Sequence, residues 1–306
     1  MYYLLKYLNY LCSKLKDITY SEIFYSPQGE GHYTGVVSAW IRLFSCNLQC
    51  DGFGQKDPTD VNIYQLPYKT CDVSNIKRMK DLPVFETGCD SSYSWSKKFK
   101  HLAKTQSIEK TVDELENILP TKKFLHKDSK QETHLCITGG EPLINQDQIV
   151  AMLQEFERRE NLPKFITIET NGTQKLNNEF KKYFKKYIAK GNELFLSVSP
   201  KLFSITGEKR AKAIKPETIK EYYELSSKGQ LKFVIDNKQP SQIELEELVS
   251  IFRTYGIWYN VWCMPLGALK EQQYKIAREV AEYASSKGYY TCARVHTYLF
   301  GNEIGT

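Results

Sequence analysis

From about residue 133 onward the chain alternates short apolar runs with segments of helical period, and this limits its fold more than any other feature. The runs are "HLCIT" (134–138), "KFITIET" (164–170), "LFLSVS" (194–199), "LKFVI" (231–235), "IWYNVWCMP" (257–265) and "YTCARV" (290–295). Between them lie stretches such as 145–159, where Ile149, Val150, Leu153 and Phe156 recur at helical spacing. Strand and helix taking turns in this way predict a parallel sheet with crossover helices. An earlier run, "VVSAWIRLF" (36–44), supplies a first strand. With 306 residues, one large α/β domain carrying insertions is the natural expectation.

Composition narrows the function classes. Charged residues make up 25% and hydrophobic ones 41%, values of a soluble globular protein rather than a disordered or membrane chain. A net charge of +6 admits an anionic small-molecule substrate without demanding one. The basic run "KKYFKKYIAK" (181–190) invites a nucleic-acid reading. However, Phe180, Tyr183, Phe184, Tyr187 and Ile188 follow a three-four spacing that leaves the lysines on a solvated helix face. At the amino end, Leu4, Leu5, Leu8, Leu11, Cys12 and Leu15 share one helical face, while Lys6 interrupts the apolar part and no small-residue cleavage site follows. The expectation is an amphipathic helix over 1–18 docked on a barrel domain of 19–306, with no membrane attachment. Without an export signal the eight cysteines are expected in a reducing cytoplasm, where thiols more often serve metals or catalysis than disulfides.

Cys46 and Cys50 follow the first strand, separated by three residues, but the position where a third thiolate would fall is Phe53. From 51 to 88 the pattern breaks down into an irregular insertion carrying Pro58, Pro67 and Pro83. Two cysteines at this spacing arise by chance and bury easily, so their company matters. That company is "EIFYSPQGEGHYTG" (22–35), "ITGGEPLIN" (137–145), "IETNG" (168–172), "SVSPK" (197–201), "LKFV" (231–234), "MPLG" (264–267) and "HTYLFGNEIGT" (296–306). In this order the series resembles the 7-carboxy-7-deazaguanine synthases of the radical S-adenosylmethionine superfamily.

The resemblance implies a partial parallel barrel of (βα)6 type, shortened and decorated. The family's Cys-x3-Cys-x2-Cys is usually followed by Asp-Thr-x-Tyr-x-Trp, and here that tail reappears as "GCDSSYSW" (88–95). Cys89 is thereby implied as the third ligand of a 4Fe-4S cluster with Cys46 and Cys50. Cys71 is the rival, either as that third ligand or as the fourth of a zinc set with the other three. Three thiolates leave one iron of a cubane open, and in the family S-adenosylmethionine binds there; structural zinc wants four. Ser91 stands where the family has a magnesium-ligating threonine, and its hydroxyl suits Mg2+.

Gly139 and Gly140 at a strand end let a cofactor approach the backbone. The resemblance assigns S-adenosylmethionine to Gly140, Glu169, Ser199, Pro200 and Lys201, and to Met264, Pro265, Leu266 and Gly267; Met264 replaces a common glutamine. The pterin substrate falls to Pro27, Gln28, Gly29, Glu30, Arg42, Thr138, His296 and the terminal Thr306. Gln28 and Glu30 offer a donor and acceptors to a pterin-like ring edge, and the Arg42 guanidinium suits a carboxylate.

The implied reaction is a radical carbon-nitrogen lyase step of queuosine-type 7-deazapurine biosynthesis. It converts 6-carboxy-5,6,7,8-tetrahydropterin to 7-carboxy-7-deazaguanine with release of ammonia. A flavodoxin- or ferredoxin-like reductant and a homodimer are implied with it, and no direct nucleic-acid contact. A glycyl-radical-type activating enzyme would share the cysteines and "GGEP" but not "PQGEG", Arg42 or the His296 ending. The broken cysteine spacing also leaves open a non-catalytic zinc- or RNA-binding derivative of the barrel.

Overall fold

The computed structural model describes residues 17–301 and 303–305. Nine strands form one sheet: β1 (Asp17–Pro27), β2 (Val37–Leu43), β3 (Lys104–Ser107), β4 (His134–Gly139), β5 (Phe165–Thr170), β6 (Glu193–Val198), β7 (Gly229–Ile235), β8 (Asn260–Pro265) and β9 (Tyr290–Thr291). Their order is β3-β1-β2-β4-β5-β6-β7-β8-β9. From β2 through β9 neighbours run parallel, whereas β1 pairs antiparallel with both β2 and β3. The longer helices are α1 (Ile108–Ile118), α2 (Gln146–Arg158), α3 (Asn178–Ala189), α4 (Pro216–Leu225), α5 (Gln239–Thr254) and α6 (Lys270–Ser286). This open parallel barrel agrees with the expected fold class, with one more parallel strand than the six expected.

Strand side chains divide by parity, because successive residues point to opposite faces. Ala39, Ile41, Leu43, Leu135, Ile137, Ile166, Ile168, Leu194, Leu196, Leu231 and Phe233 join the main core, together with Val112, Leu153, Phe156, Phe184 and Leu248 from the helices. The opposite parity carries Arg42, Thr138, Glu169, Ser197 and Lys232, which line a cavity at the carboxyl ends of the parallel strands. Both faces are covered, yet one is apolar and the other polar.

The antiparallel strand β1 went unread in the sequence. Its register shifts between Tyr20 and Glu22. Before the shift, Ile18 and Tyr20 face the main core; after it, Phe24 stacks on Trp40 inside the barrel, ring centroids 5.5 Å apart. The irregularity thereby brings Glu22 opposite Arg42. Because β1 begins at Asp17, the last two positions expected in an amino-terminal helix are strand. The remainder of that helix, residues 1–16, lies outside the described residues.

The insertion is irregular but packed. Tyr68, Met79, Leu82, Phe85, Tyr93 and Phe99 form a separate buried cluster. Its ordered structure runs past residue 88 to Leu102, through two further turns at Ser92–Ser94 and Lys97–Leu102. On α3, Phe180, Phe184 and Tyr187 are buried while Lys182, Lys185 and Lys186 are exposed, as the spacing predicts. Among the described residues no helix is long and apolar enough to cross a membrane.

Candidate active site

The loop after β2 carries the first two thiols and is held in a costly conformation. Ser45 (φ 118°) and Cys50 (φ 55°) both take positive φ, which side chains disfavour unless surroundings impose it. Glu208 imposes part of it, accepting from the backbone N–H of Gln49 (2.6 Å) and Cys50 (3.0 Å). From the other side β4 closes in. A Cβ on Gly140 would stand 2.4 Å from the Ser45 carbonyl oxygen and 2.7 Å from Cys46 Cβ, so only glycine fits.

Cys89 lines the same cavity as Cys46 and Cys50, whereas Cys71 does not. The Cys71 thiol packs against the insertion's own core. Gly88 N–H donates to the Phe53 carbonyl (2.7 Å) and Ser45 N–H to that of Ser94 (2.8 Å), pinning the returning limb to the cysteine loop. Burial pushes the Cys46 thiol up to about 12, Cys89 up to about 11 and Cys50 well above its usual range, while the Lys201 ammonium pulls all three down. Two sulfurs also receive N–H donors, from Leu48 to Cys46 (3.4 Å) and from the Trp95 indole to Cys89 (3.4 Å). Among the described residues no three Cys, His, Asp or Glu side chains gather tightly enough to chelate one ion. Three thiols lining one cavity, two of them receiving N–H donors and all three under the pull of the Lys201 ammonium, suit an iron-sulfur cluster, which takes thiolate ligands and bears negative charge.

Beyond the thiols the cavity is lined by buried charges. Arg42 is fixed through Nε to Glu22, whose Oε1 also accepts from Tyr93 Oη (3.0 Å). Among the described residues only Nε of the Arg42 guanidinium has a hydrogen-bond partner, and its terminal nitrogens have none. Thr138 Oγ1 donates to Glu169 Oε2 (3.0 Å), and Lys232 Nζ lies 3.6 Å from Glu169 Oε1. Lys232 also pairs with Glu30, which accepts from Arg294 Nε at 2.9 Å. Burial pushes the Glu30 carboxyl up, but Lys232 and Arg294 outweigh it and hold the group well below the usual carboxylate range. His296 is driven down to about 4, first by burial and then by Arg294, so its imidazole is neutral at neutral pH. Ser91 lines the cavity, its Oγ donating to Asp90 Oδ1 (3.3 Å).

Most of the expected residues meet here: Cys46, Cys50, Cys89, Ser91, Pro27, Gly29, Glu30, Arg42, Thr138, Gly140, Glu169, Ser199, Lys201, His296 and 264–267 all line one cavity. Two do not. Gln28 lies deeper, its Nε2 donating to Ser38 Oγ (3.1 Å) and standing 3.3 Å from His134 Nδ1, at the amino ends of β2 and β4 and away from the cavity at their carboxyl ends. Pro200 is absent from the lining, since its neighbours Ser199 and Lys201 take the inward positions. Thr306 lies outside the described residues. Lys232, Arg294, Asp90, Asn171 and Trp95 line the cavity without having been singled out. Lys232 carried a readable signal, a charge within the apolar run "LKFVI" between Leu231 and Phe233, which face the main core.

Fold and site together define an open parallel α/β barrel with three thiols lining the cavity at its strand ends, the class of fold that the sequence resemblance implies. Known proteins bear out the resemblance to 7-carboxy-7-deazaguanine synthases. The chain is 26% identical over 299 residues to the 7-carboxy-7-deazaguanine synthase of Rhodopirellula baltica, spanning 94% of this chain and 88% of that one. It is 26% identical over 310 residues to that of Halobacterium salinarum, covering 94% and 91%. The crystal structure of QueE from Escherichia coli superposes with a TM-score of 0.53 at 17% identity, covering 92% of this chain and 95% of that chain, and carries the fold. No family profile matches the chain.

Proposed function

We propose that this chain is a 7-carboxy-7-deazaguanine synthase, a radical carbon-nitrogen lyase. It would convert 6-carboxy-5,6,7,8-tetrahydropterin to 7-carboxy-7-deazaguanine with release of ammonia, in 7-deazapurine biosynthesis. The observation that carries this reading is one cavity with three thiols at one end and Arg42, whose terminal nitrogens have no partner among the described residues, beside Glu30, Thr138 and Glu169.

Cys46, Cys50 and Cys89 would hold a 4Fe-4S cluster. With S-adenosylmethionine on its open iron, such a cluster supplies hydrogen-atom abstraction from an unactivated carbon. Gly140 leaves room for the cofactor, and Ser199, Lys201 and residues 264–267 would bind it around the rim. Arg42, braced by Glu22 through Nε, would take the substrate carboxylate through its terminal nitrogens. Glu30, held as a carboxylate by Lys232 and Arg294, would accept from ring N–H groups, as would Glu169 beside Lys232. Neutral His296 can donate or accept without adding charge. The Ser91 hydroxyl, with Asp90 adjacent, would hold Mg2+, which would supply positive charge opposite the substrate carboxylate. A low-potential flavodoxin- or ferredoxin-like donor would supply electrons. A reducing cytoplasm suits the seven free thiols among the described residues, and a homodimer is the expected assembly.

The test is anaerobic reconstitution with iron and sulfide, then incubation with carboxytetrahydropterin, S-adenosylmethionine and dithionite, with product read by mass and absorbance. Deazaguanine formation is expected. A reconstituted protein that cleaves S-adenosylmethionine yet leaves the pterin unchanged would overturn the substrate assignment.

A further inference from the structure

The long insertion must return Cys89 to the other two sulfurs, and one guanidinium stands where that return meets the substrate end. After β9 the backbone stays tied to β8, Cys292 N–H donating to the Cys263 carbonyl (3.1 Å). It then turns inward. Arg294 N–H donates to Gln273 Oε1 (3.3 Å) on α6 and Val295 N–H to the Gly29 carbonyl (2.8 Å). The next turn sits directly on the Gly29 backbone: a Cβ there would fall 1.9 Å from His296 Nδ1.

So placed, the Arg294 side chain reaches three separate loops. Nε donates to Glu30 Oε1 (2.9 Å), in the loop assigned to substrate. Nη1 lies 2.8 Å from Asp90 Oδ2, the residue after Cys89. The same nitrogen approaches the Gly267 carbonyl (3.3 Å), in the loop assigned to S-adenosylmethionine. Its side chain is only 13% exposed, so these contacts are shielded from water. A lysine offers one compact charge and could not span a planar fork of partners. The backbone bonds that pin Gly88 and Ser94 tie the returning limb to the cysteine loop alone, whereas Arg294 ties it also to Glu30.

We propose that Arg294 is a positioning residue that couples pterin binding at Glu30 to retention of the third cluster ligand, through its ion pair with Asp90. Binding that orders Glu30 steadies Arg294, Asp90 and hence the Cys89 limb, and the coupling runs equally in reverse. The inference rests on the functional reading above only for the identity of the ligand.

The experiment measures iron release to a chelator from the reconstituted full chain, with and without carboxytetrahydropterin. Wild type is compared with Arg294→Gln, Asp90→Asn and the double variant, and Arg294→Lys serves as a charge-conserving control should Arg294→Gln not fold. Each single substitution is expected to speed ligand-free release by roughly tenfold, as loss of an outer partner of a metal ligand does. The double variant should be no faster than the singles, because one interaction is removed. Carboxytetrahydropterin should slow release from wild type and lose that effect in the variants. Unchanged ligand-free release in Arg294→Gln, or fully additive losses in the double variant, would overturn the positioning role alone. A wild type that the pterin does not protect overturns the coupling and counts against the substrate reading, while leaving the ligand-free comparison intact. Protection persisting in Arg294→Gln overturns the coupling with the substrate reading unharmed.

Discussion

The wall of parallel strands and the insertion both deliver sulfur to the same cavity, but they are ordered by different means. In the wall, parity decides everything: Ile41 and Ile137 face the helices while Arg42 and Thr138 face the cavity one residue later. The insertion has no such period. Its cluster is spaced irregularly, with Tyr68, Phe85 and Phe99 meeting edge-on or tilted at centroid distances of 5.8 to 6.4 Å. A repeating pattern can build a scaffold whose inner face is set in advance. A non-repeating one can still place a single residue, provided a few large rings anchor it.

The sharpest break between the two regions should come from their cysteines. Cys89→Ala removes a thiol lining the cavity and is expected to abolish stable cluster binding and product formation. Cys71→Ala removes one packed into the insertion's own core, and should leave iron and sulfide content near wild type. Iron and sulfide analysis after anaerobic reconstitution decides it. Loss from the Cys71 variant with retention in the Cys89 variant would reverse the ligand assignment.

Next in size are the two cores. Truncating a buried phenylalanine costs about 3–5 kcal/mol. For Phe233→Ala, in the main core between β7 and the helices, that cost should appear as a lower urea midpoint for the whole chain. For Phe99→Ala, fully buried in the separate cluster, hydrogen exchange should rise over residues 64–103 with a much smaller shift in the barrel's midpoint. Equal global shifts would mean that the insertion and barrel unfold as one unit.

The wall was legible because its runs are short, apolar and separated by helical segments; the later strands fall within a few residues of where the runs predict them. "YTCARV" is an exception, since only Tyr290 and Thr291 pair and the chain then turns so that Arg294 and His296 enter the cavity. The hairpin partner β1 was hidden by its own register shift, which breaks the alternation of "DITYSEIFYSP" midway. Cys89 could be placed from its neighbours in the motif, not from spacing. Arg294 and Asp90 could not, because an ion pair between residues 204 positions apart leaves no local pattern.

Charge at the wall's end supplies a smaller, pH-dependent contrast. Glu141 follows Gly140 and is fully buried. It accepts from Leu143 N–H (3.0 Å), Thr170 Oγ1 (2.8 Å) and Asn171 N–H (2.7 Å). Burial nonetheless pushes its carboxyl from an ordinary 4.5 up to about 7, the three donors opposing. A carboxyl raised in the folded state contributes stability that is complete below about 4.5 and is lost as pH rises through about 7. Wild type should therefore lose up to about 3 kcal/mol across that window, and Glu141→Gln, which keeps an acceptor but cannot ionise, should lack the slope. Urea titrations at several pH values measure it. Asp57, Asp72 and Asp81 in the insertion are held low by hydrogen bonds, led by those from Thr59, Ser74 and Arg78, and add no matching slope there.

The smallest effect expected belongs to the basic face of α3, and its smallness is the point. Lys182, Lys185 and Lys186 point to solvent while Phe180, Phe184 and Tyr187 hold the helix against the sheet. If the run is a solvated face, Lys182→Gln with Lys185→Gln and Lys186→Gln should shift stability by only about 0.5 kcal/mol each. Product formation should not change, because none of the three reaches the cavity. Phe184→Ala on the same helix should cost about 3–5 kcal/mol, so the two faces calibrate each other within one element. A large loss of activity in the triple lysine variant at unchanged stability would instead assign this face a binding role. The wall's outer surface would then carry function as its inner surface does.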